Sequence, residues 1–328
     1  MSGRRFAARL AFAGFGALAA RSALVGLRRA PRADAWERTN FRGRTVSLVG
    51  GPALAAAATA SAAAGAGSAP LAVAALVVGS GAGVVGWYDD IVGARPDHQA
   101  KGFRGHLAAL RDGRVTSGLV KIVGVGVVGL AAAALVEAGS AERRRGLRSA
   151  VNVALGGGVI AGTANLVNLL DLRPGRALKA GTLAAAAMLP GPAGEIVAGP
   201  VGAALALLPD DLGEETMLGD AGANAYGALI GLAVVTRSGP WRRAAILATL
   251  ATLTAASEKV SFTKVIAATP VLREFDELGR RPHDATDIGR AGATASNGVA
   301  SDAAGRDVST PDAGRDAAGP DVEQPASG

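Results

Sequence analysis

The chain alternates between long apolar blocks and short polar connections. Nine blocks fall roughly at residues 6–27, 46–64, 71–87, 115–136, 151–170, 177–189, 196–208, 221–236 and 241–256. Within each block the apolar residues run together. They lack the 3.6-residue or alternate-residue spacing of a half-buried soluble element. Blocks near 20 residues match the thickness of a bilayer's hydrocarbon layer. The pattern predicts an all-α, polytopic transmembrane helix bundle with about nine membrane helices, within a range of eight to ten. The sixth and seventh blocks are short for full spans and equally suit a re-entrant hairpin. They enter and leave as a pair, so the sidedness of later segments is the same either way. The helical domain covers residues 1–281. From 282 to 328 the chain is mostly Asp, Ala, Gly, Ser and Pro, a composition that predicts a disordered tail.

The first block carries Arg9 and Arg21 and ends in a basic run instead of a small-residue cleavage site, which predicts a retained helix and not a signal peptide. Hydrophobic residues make up 49% of the chain and charged residues 19%. No soluble domain is apparent. There is no cysteine, which excludes disulfides, thiolate metal sites and cysteine nucleophiles. The net charge of +7 is spread between the apolar blocks and forms no single patch, so no nucleic-acid partner is expected. With the N-terminus outside, the inner loops carry 19 Lys and Arg residues up to Arg281 and the outer loops 10. That bias predicts the orientation, although Arg143-Arg144-Arg145 stands against it. The high Ala, Gly and Arg content fits a GC-rich bacterial genome and a cell-envelope role, and the expected location of the multi-pass chain is the bacterial plasma (inner) membrane.

Three polar clusters fall on the predicted inner side. Gly86-Trp87-Tyr88-Asp89-Asp90 closes the third block, Asn165-Leu166-Val167-Asn168-Leu169-Leu170-Asp171 closes the fifth, and Leu218-Gly219-Asp220-Ala221-Gly222 opens the eighth. Carboxylates near helix ends in a membrane need partners. Oxygen ligands of this kind suit magnesium, which binds one or two carboxylates together with substrate phosphate oxygens. Adjacent Asp89 and Asp90 diverge by about 100° on a helix, so one can face a metal and the other an incoming phosphate. Taken singly, each cluster also reads as a solvated helix end, a turn or a helix–helix hydrogen bond.

The order of these motifs resembles the polyprenyl-phosphate N-acetylhexosamine-1-phosphate transferases. These include phospho-N-acetylmuramoyl-pentapeptide transferase and the UDP-GlcNAc:undecaprenyl-phosphate GlcNAc-1-phosphate transferases. The resemblance covers about residues 40–280. It rests on Asn40 through Gly50-Gly51, on Asp89-Asp90, on Asn165, Leu166, Asn168 and Asp171, and on Gly219-Asp220-Ala221-Gly222. It implies a membrane transferase that moves a sugar-1-phosphate from a UDP-sugar to polyprenyl phosphate in cell-envelope glycan synthesis, releasing UMP. It implies Mg2+ on Asp220, and Asp89 and Asp90 positioning or deprotonating the lipid phosphate. Asn165, Asn168 and Asp171 would line the nucleotide side, with Lys121 near the site. Dimers occur in the family, so a homodimer is allowed.

Departures from the family pattern are Asn168 where the family has Asp, Leu169 for Gly, Met217 for a Phe before Gly-Asp, and no His at 269–275. They motivate a second reading, a degenerate relative that binds lipid or a partner protein without turnover. A small transporter is a third, without an inverted repeat to support it. His98 and His106 read as loop histidines, and His283 is given no role. Arg95, Lys101, Arg104, Arg111 and Arg114 read as a basic inner loop that orients the chain.

Overall fold

Each of the nine apolar blocks is helical in the computed structural model, which describes residues 3–31, 33–93, 105, 109–140 and 146–282. His98, His106, His283, Arg95, Lys101, Arg104, Arg143–Arg145 and the predicted tail beyond 282 lie outside the described residues. The helices are α1 (Gly3–Arg28), α2 (Gly50–Ala64), α3 (Ala69–Val92), α4 (Ser117–Ala138), α5 (Leu147–Leu170), α6 (Arg176–Ala186), α7 (Gly194–Leu212), α8 (Gly219–Thr236) and α9 (Pro240–Ser257). Two short helices follow, α10 (Phe262–Ala268) and α11 (Pro270–Glu277). The chain is thus mostly helical. Among the described residues, α1, α3, α4 and α5 are long and apolar enough to cross a membrane, which is compatible with a membrane protein.

Two sequence-based boundaries need correction. The second block was expected to be helical from Val46, but its helix begins at Gly50. Residues Thr45–Ser47 form strand β2, paired antiparallel with β1 (Glu37–Thr39), and Ser47 bridges onward to Thr216. The turn between the strands is built by Asn40, whose Oδ1 accepts the N–H groups of Arg42 at 2.8 Å and Arg44 at 3.0 Å. A β-branched Thr-Val pair at the head of a mostly apolar run reads the same in sequence whether it is strand or helix. The third block runs on beyond Trp87 through Val92, and Asp89 and Asp90 lie at the end of α3, as expected. Residues 270–277, in the region without His, form α11. Arg176 binds its Asp276 at 2.7 Å, and Lys179 Nζ donates to the carbonyls of Phe275, Asp276 and Leu278.

Helix α8 is the axis. Only Asp220, Val234 and Thr236 on it keep appreciable exposure. It packs most closely against α3 and α5, then α2, with α4, α6 and α7 also touching it. In lipid the apolar effect gives little drive for helix association, so close van der Waals approach must supply it. The sequence provides glycines where backbones meet. A Cβ on Gly51 would lie 2.0 Å from the Leu218 carbonyl oxygen, and one on Gly86 would lie 2.2 Å from that of Asp220. Gly227 and Gly231 meet Ala164 and Ile160 of α5. The hairpin is tied to α3 by Trp36 stacked on Trp87, ring centroids 5.9 Å apart.

Gly86→Ala should therefore push α3 off the first turn of α8 and cost about 1–3 kcal/mol of stability. A lowered thermal midpoint in detergent would show it, whereas an unchanged midpoint would contradict this account of the crossing.

Candidate functional site

The first turn of α8 is the meeting point of the predicted clusters. Its opening residue, Gly219, has φ +58°, a conformation that glycine adopts without strain. A Cβ there would lie 2.7 Å from Leu48 and 2.8 Å from Asp90. The first backbone N–H groups of a helix have no partner within it and carry its positive dipole end. Here carboxylates meet them. Asp90 Oδ1 accepts Asp220 N–H at 2.8 Å, and Asp90 Oδ2 accepts Ala221 N–H at 3.0 Å. Asp171, just past the end of α5, accepts the Gly219 N–H. Gly86 and Asp90 are one turn apart on one face of α3. The glycine contact thus sets the height at which Asp90 reaches α8.

Asp89 lies to one side of this cap. Lys121 Nζ, one turn into α4, bridges Asp89 Oδ2 at 2.5 Å and Asp220 Oδ2 at 3.0 Å. The lysine reaches both because Gly124 accepts the side chain of Val85, and Gly81 that of Val128, letting α3 and α4 close on each other. Ser117 also hydrogen-bonds to Asp89. The two adjacent aspartates both face the start of α8. Asp90 is engaged by backbone, and Asp89 shares a lysine with Asp220.

These groups line the mouth of a cavity of about 1530 Å³, bounded by Arg38 of the hairpin, α3, α4, the second half of α5, α8 and the end of α9. Asp89, Asp90, Lys121, Asn165, Asn168 and Asp220 all line it. Asp171 does not; it sits behind, under Gly219, near Asp211, whose Oδ2 accepts the Gly175 N–H. Asn165 makes a helix–helix bond, donating from Nδ2 to Thr254 Oγ1 of α9 at 3.0 Å. Gly158 and Gly162, on the same face of α5, admit Leu247 and Leu250 of α9 and align that pair.

A magnesium ion can be tested against these donors. Among the described residues, no three His, Asp or Glu side chains are arranged to hold a metal alone. Magnesium bound to a diphosphate needs only one or two carboxylates from protein. Asp220 and Asp89 are such a pair, with side chains 23% and 10% exposed toward the cavity. The ammonium between them already marks a place for positive charge. The donor set fits a phosphate-borne magnesium held by Asp220, with Asp89 beside it.

Among the cavity-lining residues that sequence reading passed over are Arg38, Ser117, Asn224, Glu258 and Lys259. Asn224 carried a legible signal, because it follows Asp220 by four residues and shares its helix face. Arg38 and Lys259 look like ordinary interfacial cations until the fold brings both to the cavity. No family model and no curated protein matches this chain.

Two outcomes follow from the capping geometry. Asp90→Ala should cost about 0.5–2 kcal/mol through loss of the α8 cap, while Asp90→Asn, which keeps an acceptor for only one of the two N–H groups, should lose less than Asp90→Ala. Equal midpoints for Ala and Asn in thermal unfolding would rule the cap out. Burial, and then the Asp211 carboxylate, push the Asp171 carboxyl well above the usual carboxylate range. Such a group binds its proton more tightly folded than unfolded. Its stabilising effect is complete below the unfolded value of about 3.9 and is lost as pH rises toward the folded value. Asp171→Asn lacks this loss, so its midpoint should gain on the parent as pH rises from about 4.5 through the neutral range. A gap that is constant across that range would exclude the raised carboxyl.

Proposed function

We propose that this chain is a membrane transferase that moves a sugar-1-phosphate from a UDP-sugar onto polyprenyl phosphate and releases UMP. The observation that carries the reading is the convergence of Asp89, Asp90, Lys121, Asn168 and Asp220, from four helices, on the mouth of one large cavity at one end of an apolar bundle. A cavity of about 1530 Å³ exceeds what one drug-sized ligand fills. It suits a nucleotide sugar meeting the head of a lipid phosphate.

In this reading an oxygen of the lipid phosphate attacks the phosphorus that bears the sugar. The bond from that phosphorus to the bridging oxygen breaks, and UMP leaves with the electron pair. Asp89 orients the lipid phosphate, and Asp90 and Asp171 hold the first turn of α8 still. Lys121 turns from the two carboxylates toward the phosphates as a point charge. Asn165 and Asn168 face the nucleotide. Magnesium on Asp220 supplies charge neutralisation of the diphosphate. The nine long helices are membrane helices, the site end faces the cytoplasm, and the membrane is the bacterial plasma membrane. Arg28, Arg38, Lys121 and Arg176 at the site end agree with that orientation.

A second reading has one specific observation behind it. Lys121 satisfies both Asp89 and Asp220, and Asp90 is spent on a helix cap, so the remaining charge suits a binding protein without turnover. Radiolabel transfer to polyprenyl phosphate, with UDP-GlcNAc and UDP-MurNAc-pentapeptide offered separately, decides between them. Chelator-sensitive transfer that Asp220→Asn reduces at least a hundredfold, in a variant that remains folded, is expected. Full activity of Asp220→Asn would remove Asp220 as the metal ligand. Absence of both transfer and magnesium binding would favour the binding protein.

A further inference from the structure

The cavity has a second polar feature below the charged mouth. Asn224 lies one turn deeper along α8 than Asp220, on the same face. It is 2% exposed, it lines the cavity, and its Nδ2 has no hydrogen-bond partner among the described residues. Buried side-chain donors normally find a partner, so one that points into a cavity without one calls for an explanation. Its surroundings narrow the answer. The walls at this depth include Val125, Ala161 and Leu250. Asn165 and Thr254, a polar pair on α5 and α9 that lines the same cavity, already bond to each other. The cavity's cations, Lys121, Arg38 and Lys259, come from the start of α4, the hairpin and the residues after α9. An anion drawn to Asn224 would leave them for an apolar wall. Water can serve this amide in the free protein, but a ligand that displaces the water must supply an acceptor in its place.

We infer that Asn224 is a specificity-determining residue, donating from Nδ2 to an uncharged carbonyl oxygen of the bound nucleotide sugar. This rests on the UDP-sugar reading above. A UDP-N-acetylhexosamine carries neutral carbonyls in two places, the uracil ring and the acetamido group. Both offer the aprotic acceptor that a lone N–H needs in an apolar wall. A site that loses its donor no longer prefers the ligand with the carbonyl over one without it.

The test is isothermal titration of the purified full chain in detergent with magnesium, using UMP, UDP-glucose and UDP-GlcNAc. The proteins are the parent, the near-isosteric Asn224→Leu, and Asn224→Ala. Asn224→Leu is expected to bind UDP-GlcNAc roughly 3- to 10-fold more weakly. Its thermal midpoint should equal or exceed the parent's, because an unsatisfied buried donor is gone. An equal loss for all three ligands places the carbonyl on uracil, whereas a loss confined to UDP-GlcNAc places it on the acetamido group. Both support the inference. Parent-like affinity for all three in folded Leu and Ala variants would overturn it while leaving the transferase reading intact. A marked fall in midpoint accompanying weaker binding would also overturn it, since Nδ2 would then be holding the protein together. A parent chain that binds none of the three would remove both readings together.

Discussion

The arrangement of the site end depends on the helix start at Gly219. Three N–H groups at the head of a buried helix have no partner within the helix and must find acceptors elsewhere. Asp90 and Asp171 serve them from opposite sides, one from α3 and one from the end of α5. Each carboxylate also lies at the favourable end of the helix dipole. Since α3 and α5 are the neighbours that α8 packs against most closely, one electrostatic requirement fixes the relative height of three helices.

That requirement is met only because backbones come near enough for short aspartates to bridge them. Gly51, Gly86 and Gly222 crowd the same turn from α2, α3 and α8, and even one added Cβ would strike a neighbouring backbone atom. The hairpin and the loop before α8 close the same end. Met217 N–H donates to the Ser47 carbonyl at 2.9 Å, and Glu214 binds Arg42 at 2.7 Å and Asn40 at 2.7 Å. Asp89, Lys121 and Asp220 inherit their positions from this frame. The carboxylates that organise the fold and those that face the cavity are adjacent in sequence, at Asp89 and Asp90, but they do different work.

Much of this was legible in the sequence, for identifiable reasons. Unbroken Ala, Val, Leu and Gly blocks announced nine helices, since continuous apolarity and length need no knowledge of partners. The three polar clusters could be put on one end because helices alternate direction and their ends are countable. What a carboxylate does was not legible. Asp89 and Asp90 have the same neighbours in sequence, and only the rotation of α3 against α8 gives one a lysine and the other two backbone N–H groups. Likewise the sequence gives no sign that Asn165 is satisfied by Thr254 while Asn224 is left unpaired, because both partnerships cross between helices distant in the chain. Strand β2 was missed because three residues carry too little pattern to compete with the apolar run behind them.

The distribution of unmet polar demand along the cavity is itself informative. At the mouth, Lys121 matches Asp89 and Asp220 and backbone N–H groups match Asp90, so in the proposed reading a phosphate must compete with internal partners for Lys121. One turn deeper the balance reverses, and a buried amide waits without a partner among apolar walls. A ligand gains most where the protein has left a donor unpaired and least where it must break an existing ion pair. The mouth is therefore suited to exchange of charged groups, where easy release matters. The interior is suited to selection, where a neutral contact can be gained without an ionic one being lost.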